Sequence, residues 1–315
     1  MTHLVSQFWK DDFEIIELKN EQHTAKIAVN IGNTLFSFSD AKQEYLYFPF
    51  SLSTYQTTAK LAGNPFMHPW ANRLEGDYIE FHQQKHHFPN ELKSYIYRDG
   101  NQLPLHGLLL KTDKWKTIAM ENTANFCCHT AELKFDLPDW LHIFPFKHTI
   151  QIAHILQDNV LRIETSIFNE ADVEMPISFG FHPYFHRTEN ATLTIPADAC
   201  MELNALQLPV GKWHSKQTKW HFNQDTIALN KVAFDDGFQD LYFKNNQAKF
   251  SCGNVDVVFE KTYPFAQIYA PNDTQKPYVC IEPMTAATNA LNKNSCMLLS
   301  PKNVFKASFE IHLPK

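Results

Sequence analysis

Apolar and polar side chains trade places at every second residue over much of this chain, and no other feature restricts its fold as strongly. Phe305, Ala307, Phe309, Ile311 and Leu313 are apolar, whereas Lys306, Ser308, Glu310 and His312 between them are polar. Leu161, Ile163, Thr165 and Ile167 alternate with Arg162, Glu164 and Ser166 in the same way. Neighbouring side chains of a strand point to opposite faces, so the pattern describes a ribbon with one buried side. Shorter runs of strand type cover 25–31, 34–38, 148–156 and 254–260. Turn residues, among them Gln157-Asp158-Asn159, Pro271-Asn272-Asp273 and Asp235-Asp236-Gly237, separate such runs. No stretch keeps a helical i, i+3, i+4 pattern over three turns, and only a short helix is expected, over 285–292. Strands that do not alternate with helices disfavour a doubly wound parallel sheet and predict an all-β, antiparallel sandwich or barrel. The 315 residues suit one large β domain or two smaller ones. With no repeat, low-complexity tract or linker to divide them, residues 1–315 are read as a single domain.

Charge and composition narrow the partners. The net charge is −6 with histidine neutral, and no basic stripe is present, which argues against nucleic acid. No apolar run approaches the length of a membrane-spanning helix, and the first residues lack the charged-then-apolar order of a secretory signal. Six cysteines without CxxC spacing fit reduced thiols, so a cytoplasmic protein is expected. Arginine occurs only at 73, 98, 162 and 187, which makes Arg73, set in a polar loop, a conspicuous candidate for clamping a ligand.

Four stretches bear groups suited to proton transfer. In Val279-Cys280-Ile281-Glu282-Pro283, an apolar run delivers a carboxylate and a proline stops the run, so Glu282 is expected at a strand end facing a cleft. In Phe181-His182-Pro183-Tyr184-Phe185, the proline pins the histidine, which suits a general acid whose aim matters and equally suits a buried ring at a strand end. Leu105-His106-Gly107 sets a histidine beside a glycine that permits close backbone approach; a structural histidine fits there too. In Pro69-Trp70-Ala71-Asn72-Arg73, Asn72 and Arg73 have donors for sugar hydroxyls, and Trp70 either packs on a sugar ring or fills the core. The run Asp235-Asp236-Gly237-Phe238 reads first as a tight turn. A metal site would need His82, His86 and His87, or His182 with His186. The first set reads as a hairpin tip, and along a strand i and i+4 lie about 13 Å apart, so no metal is expected. No GxSxG elbow, P-loop or GxGxxG is present. Glycoside hydrolysis by two acids drawn from Asp235, Asp236 and Glu282 stays open.

Together these stretches resemble the aldose 1-epimerase (galactose mutarotase-like) family. The resemblance is carried by Asn72-Arg73, Leu105-His106-Gly107, His182-Pro183-Tyr184-Phe185, Asp235 with Phe238, and Glu282-Pro283 followed by Thr285 and Asn289, in the family's order from about residue 20 onward. It implies a large antiparallel β-sandwich of the supersandwich type. It also implies a cofactor-independent isomerase that interconverts the α and β anomers of a free aldohexose. By position, Glu282 matches the catalytic base and His182 the catalytic acid, while His106, Arg73 and Asp235 match groups that hold the sugar. At reference values Glu282 is ionised at neutral pH. The only partner implied is a small sugar, with the chain a monomer or a homodimer. Leu108 after His106-Gly107, and Pro69-Trp70-Ala71 before Asn72, depart from the best-known galactose mutarotases, as in a divergent branch. A sister branch acts on hexose 6-phosphates through an arginine shortly after the His-Gly pair. Here that region is Leu108-Leu109-Leu110-Lys111, which favours a neutral sugar, while Arg73 and Arg98 keep the phosphate ester as an alternative. A non-catalytic carbohydrate-binding protein on the same sandwich is the other.

Overall fold

The alternation is realised as antiparallel sheets in a computed structural model that describes residues 3–81, 83–188, 190–230, 232–273 and 275–315. A nine-stranded sheet has Val304–His312 near its middle, paired with Val160–Asn169 on one side and Val255–Glu260 on the other. A second sheet runs Pro209–Ser215, Ala197–Leu203, Phe234–Leu241, Phe265–Ala270, Tyr278–Met284, Gly180–Phe181, Phe66–Met67, with Tyr184–His186 also paired to Tyr278–Met284. An N-terminal meander of four strands, Leu4–Lys10 to Thr34–Asp40, forms a separate sheet. The inward faces of the two large sheets meet through rings: Phe181 packs on Phe309 with centroids 5.0 Å apart, and Phe179 on Phe305 at 5.9 Å. Phe179, Phe181 and Phe309 are fully buried, and each such side chain contributes about 1.5–3 kcal/mol relative to an exposed one. The expected antiparallel all-β sandwich is therefore the observed fold. Among the described residues, no helix is long and apolar enough to cross a membrane. All six cysteines are free.

Four local expectations are corrected. Residues 285–292 do not form a helix; a short 3-10 turn covers only Ala290–Lys293 and follows Asn289, whose φ is +63°. The acid-rich run 235–237 is not a turn but part of the inner strand Phe234–Leu241, paired on both sides. There Asp236 is buried and bonded to Lys219, and the missing side chain of Gly237 leaves room for Gln267 and Met201. Pro283 does not end its strand, which continues to Met284. Ser308 and Glu310, expected on a solvent face, are buried in their central strand; Arg162 on the neighbouring strand donates to Glu310 at 2.9 Å. Of the histidine cluster, His86 lies in the strand Gln84–His87 of a small hairpin, and His82 lies outside the described residues.

Two loops run along the edge of the second sheet. Residue 68 bridges to 107, and residue 73 to 105. His106 and Asn72 adopt φ of +62° and +60°, and Gly107 of +76°. A Cβ on Gly107 would lie 2.1 Å from the His68 carbonyl oxygen, so only glycine lets these loops touch. His68 is itself tied to the other sheet. The His148 Nδ1–H donates to the Phe146 carbonyl at 2.6 Å, because a carbonyl can only accept; Nε2 of the neutral ring then accepts from His68 Nε2–H at 2.7 Å.

Candidate active site

The register of the second sheet explains why Glu282 and His182 meet. Tyr184 pairs with Cys280 and Gly180 with Met284; the same register, carried through, sets His182 opposite Glu282. At that point the partner strand is interrupted at His182-Pro183, so the ladder opens where the two side chains face each other. On its other flank Glu282 pairs with Gln267, which pairs in turn with Gly237, two residues from Asp235. Residues two apart on a strand share a face, so Glu282, Gln267, Tyr269, Asp235, His182 and Tyr184 project to one side while Ile281, Ile268 and Phe181 project into the core. A cavity of about 500 Å³ lies on that polar face, within the size range of small-molecule sites. The two edge loops add Asn72, Arg73 and His106 to its wall.

At the floor of the cavity, His182 Nε2 is 3.2 Å from Glu282 Oε1, and both side chains are nearly inaccessible, Glu282 at 1%. Tyr184 stacks on the His182 ring, centroids 4.4 Å apart, and His106 meets it edge-on at 5.0 Å. Among the described residues Glu282 Oε2 has no hydrogen-bond partner, an unpaired polar atom on a buried carboxyl. The Asn72 N–H donates to His106 Nδ1 at 3.2 Å, which leaves Nε2 to carry the hydrogen of the neutral ring. Arg73 is held on three sides: Nε donates to Asp99 at 2.7 Å, one terminal nitrogen to Asp235 at 3.2 Å and the other to Asn72 Oδ1 at 3.2 Å. Gln267 donates to the second oxygen of Asp235 at 2.8 Å.

Burial sets the protonation of the floor. Desolvation, reinforced by Asp235 and opposed by Arg73, pushes the Glu282 carboxyl well above the usual carboxylate range. Desolvation also holds the His182 imidazole far below its ordinary value. His106 is held well below as well, by burial and then by His182 and Arg73. Burial therefore favours the neutral pair, with its exchangeable proton on the carboxyl, over the ionised glutamate of the reference values, because two isolated charges at so dry a floor are disfavoured.

Of the seven residues singled out in the sequence, six line this cavity. Trp70 does not. It is 1% exposed and stacked on Phe88 at 5.7 Å, a core residue rather than a sugar platform. Both arginines kept for a phosphate are engaged internally, Arg73 as above and Arg98 with Asp77 at 2.9 Å and the Gln102 carbonyl at 2.8 Å. Two residues were missed. Asp99, whose side chain is 5% exposed, anchors Arg73; in the sequence it is an acid among loop polars with no signal. Gln267 had one: it is the polar residue in an otherwise apolar and aromatic strand, Phe265–Ala270. A further clamp joins the Arg73 loop to the segment after Glu282. Asn289 Nδ2 donates to Glu75 at 3.0 Å, and the Glu75 N–H donates back to Asn289 Oδ1 at 3.1 Å.

The profile of the aldose 1-epimerase family matches residues 14–312, nearly the whole chain. The chain belongs to the aldose 1-epimerase family. It is similar to the uncharacterized protein YihR of Escherichia coli K12, 26% identical over 243 residues, which span 73% of this chain and 72% of YihR. A galactose mutarotase-like protein from Clostridium acetobutylicum superposes with a TM-score of 0.86 at 17% identity, covering 100% of this chain and 99% of its own. Galactose 1-epimerase from Lactobacillus acidophilus NCFM superposes at 0.76, also 17% identical, covering 99% and 98%. At such identities the two structures show that this aldose 1-epimerase family chain has the galactose mutarotase-like fold.

Proposed function

We propose that the protein is an aldose 1-epimerase that interconverts the anomers of a free aldohexose, with Glu282 and His182 as the proton-transferring pair. The observation that carries this reading is the 3.2 Å contact between the two at the floor of a sugar-sized cavity. For the ring to open, a base must take the proton from the anomeric hydroxyl and an acid must give one to the ring oxygen. The C1–O5 bond then breaks as the C1=O1 bond forms. Burial favours the pair's proton on the carboxyl, so to fill these roles it first crosses to His182 Nε2. Glu282 then receives the O1 proton and His182 supplies O5. Rotation about C1–C2 followed by the reverse transfers closes the other anomer and restores the pair. Asp235 and His106 Nε2–H bind hydroxyls of the ring, Asn72 orients His106 and Arg73, and Arg73 moderates the charge that develops on Glu282. Acid–base help of this kind contributes about 10²–10⁴-fold, and positioning adds to it. The test is polarimetry of freshly dissolved α-glucose and α-galactose with and without protein. Rates equal to the spontaneous ones for every free hexose would sink the reading.

Lys60 and Lys276 favour a second reading, a hexose 6-phosphate, because both line the cavity and are exposed. Glucose 6-phosphate therefore belongs in the same panel, and a kcat/KM above that of glucose would decide for it.

Two predictions follow from the geometry. Because one proton serves the pair, activity needs neither a doubly protonated nor a doubly deprotonated floor. With the His182 imidazole held down to about 3, kcat/KM is expected to show no loss on the acid side of histidine's ordinary value, and Glu282, held high, puts the loss on the alkaline side. A fall in activity as the pH drops through about 6.5, after subtraction of the solvent rate, would contradict this. Asp99→Asn removes the charge from the buried contact to Arg73 Nε. A hydrogen bond to a charged group contributes about 1.5–3 kcal/mol, so kcat/KM should fall roughly 10- to 100-fold. The drop should appear in both KM and kcat, since Arg73 holds Asp235, which binds ring hydroxyls, and also moderates the charge on Glu282.

A further inference from the structure

We propose that Lys111 is a positioning residue, which pins one wall of the catalytic cavity so that the wall has its binding shape before a ligand arrives. This rests on the mutarotase reading and deepens it. The wall is the segment Ala59, Lys60 and Leu61, which lines the cavity and follows the short helix Leu52–Thr57.

A six-residue helix does not hold its shape in water unaided, and this one lacks the usual stops at its C-terminus. Its last turn carries no basic residue, and the cap residue Thr58 is extended rather than left-handed. Two late carbonyls are satisfied locally: that of Ser53 accepts from the Thr57 hydroxyl at 2.9 Å, and that of Thr54 from the Thr58 hydroxyl at 2.8 Å. The carbonyls of Tyr55, Thr58 and Lys60 accept instead from Lys111 Nζ, distant in sequence, at 2.5, 2.6 and 2.7 Å. An ammonium has three hydrogens, and each finds its own acceptor here. Nζ also lies 4.2 Å from the centre of the buried Tyr55 ring. Desolvation lowers the Lys111 pKa to about 8, so the group is still charged at neutral pH.

The base of the tether is itself fixed. Leu109 and Leu110, before Lys111, are buried, and the Thr112 carbonyl after it accepts from the Gly32 N–H at 2.8 Å. The Leu108 N–H donates to the His68 carbonyl at 2.7 Å, in the same loop that carries His106. Lys111 thus joins the wall that bears His106 to the wall at residues 59–61 and fixes the one against the other. All three acceptors are main-chain oxygens, so the tether holds whichever side chains the segment carries. A wall fixed before binding lowers the ordering cost of a ligand.

The experiment compares the full-length protein with Lys111→Met, which keeps the apolar stem and removes the three donors. Trypsin reads the tether directly, because the exposed Lys60 is followed by Leu61 and is cut only when the segment opens. Nicking after Lys60 should be about 10- to 100-fold faster in the variant, the value of one hydrogen bond to a charged group. Nicking after Lys302, in the turn before the strand Val304–His312, should be unchanged. By polarimetry, KM for α-glucose and α-galactose should rise about tenfold with kcat unaltered, as if the backbone of one further residue had to be ordered on binding. Equal nicking after Lys60 overturns the proposal. So does faster nicking at both lysines alike, or faster nicking after Lys60 with KM unmoved or with the loss in kcat. Should Lys111→Met fail to fold, Lys111→Arg takes its place: planar donors do not converge on three oxygens, so nicking at the parental rate would overturn the tether. No hexose turnover by the unaltered protein removes the mutarotase reading, and the nicking rates then still decide the tether.

Discussion

Glu282→Gln is expected to abolish catalysed mutarotation and to leave the protein folded. Glutamine matches glutamate in shape, and burial already favours the uncharged form of the carboxyl it replaces, so no favourable buried charge is lost. What disappears is the ability to take a proton from O1 and return it. The loss should be about 10²–10⁴-fold in kcat, bounded below by the solvent reaction. His182→Asn should cost a similar factor, and the double variant scarcely more than either single one, because the two residues pass one proton between them. Polarimetry gives the rates, and circular dichroism with thermal melting shows that the fold survives. Substantial turnover by either single variant would reassign the chemistry to other residues.

Gly107→Ala should have the largest effect on stability. The methyl group would be placed 2.1 Å from the His68 carbonyl oxygen, which is backbone and cannot swing aside. The φ of +76° adds strain for any residue with a side chain. We expect a loss of about 3 kcal/mol, or roughly 5 °C in Tm for a chain of this size. Activity should suffer beyond the loss of stability, because the two loops that separate would carry His106 and Arg73 away from each other. A melting temperature within a degree of the parent would show that the loops tolerate separation. As a control, Gly211→Ala also changes a positive-φ glycine, but its added methyl meets nothing within 4 Å, so only the backbone strain should register.

These two cases also show what a sequence can and cannot reveal. The alternation at 161–167 and 305–313 was enough for strands and a buried face, because side-chain period is a local property. It failed at Ser308 and Glu310, since a central strand has a neighbour on each flank and Arg162 satisfies the glutamate from one of them. Asp235-Asp236-Gly237 has turn chemistry locally, yet Lys219 and Gln267, distant in sequence, make a strand the better place for it. Pro283 was read as a stop, but a proline lacks only a donor, and at this point one neighbouring strand is interrupted. Glu282 and His182 could be picked out because each sits in a distinctive stretch. Their facing positions, which arise from the pairings at 180–284 and 184–280, could not be. Nor could their proton state, since reference values describe groups in water and these are in none. Trp70 had the composition of a sugar platform but not the exposure, and exposure belongs to the tertiary structure.

The interruption at His182-Pro183 has a consequence for how such a protein can diversify. The ladder is closed above and below the gap, so the reacting pair cannot drift unless two strands unzip, and a slip of one residue would turn both groups into the core. The mouth, by contrast, hangs on turns near Lys60 and Gln275 that accept insertion and replacement at little energetic cost. Selection can then retune which ligand is admitted, generation after generation, while the facing of Glu282 and His182 beneath is inherited unaltered.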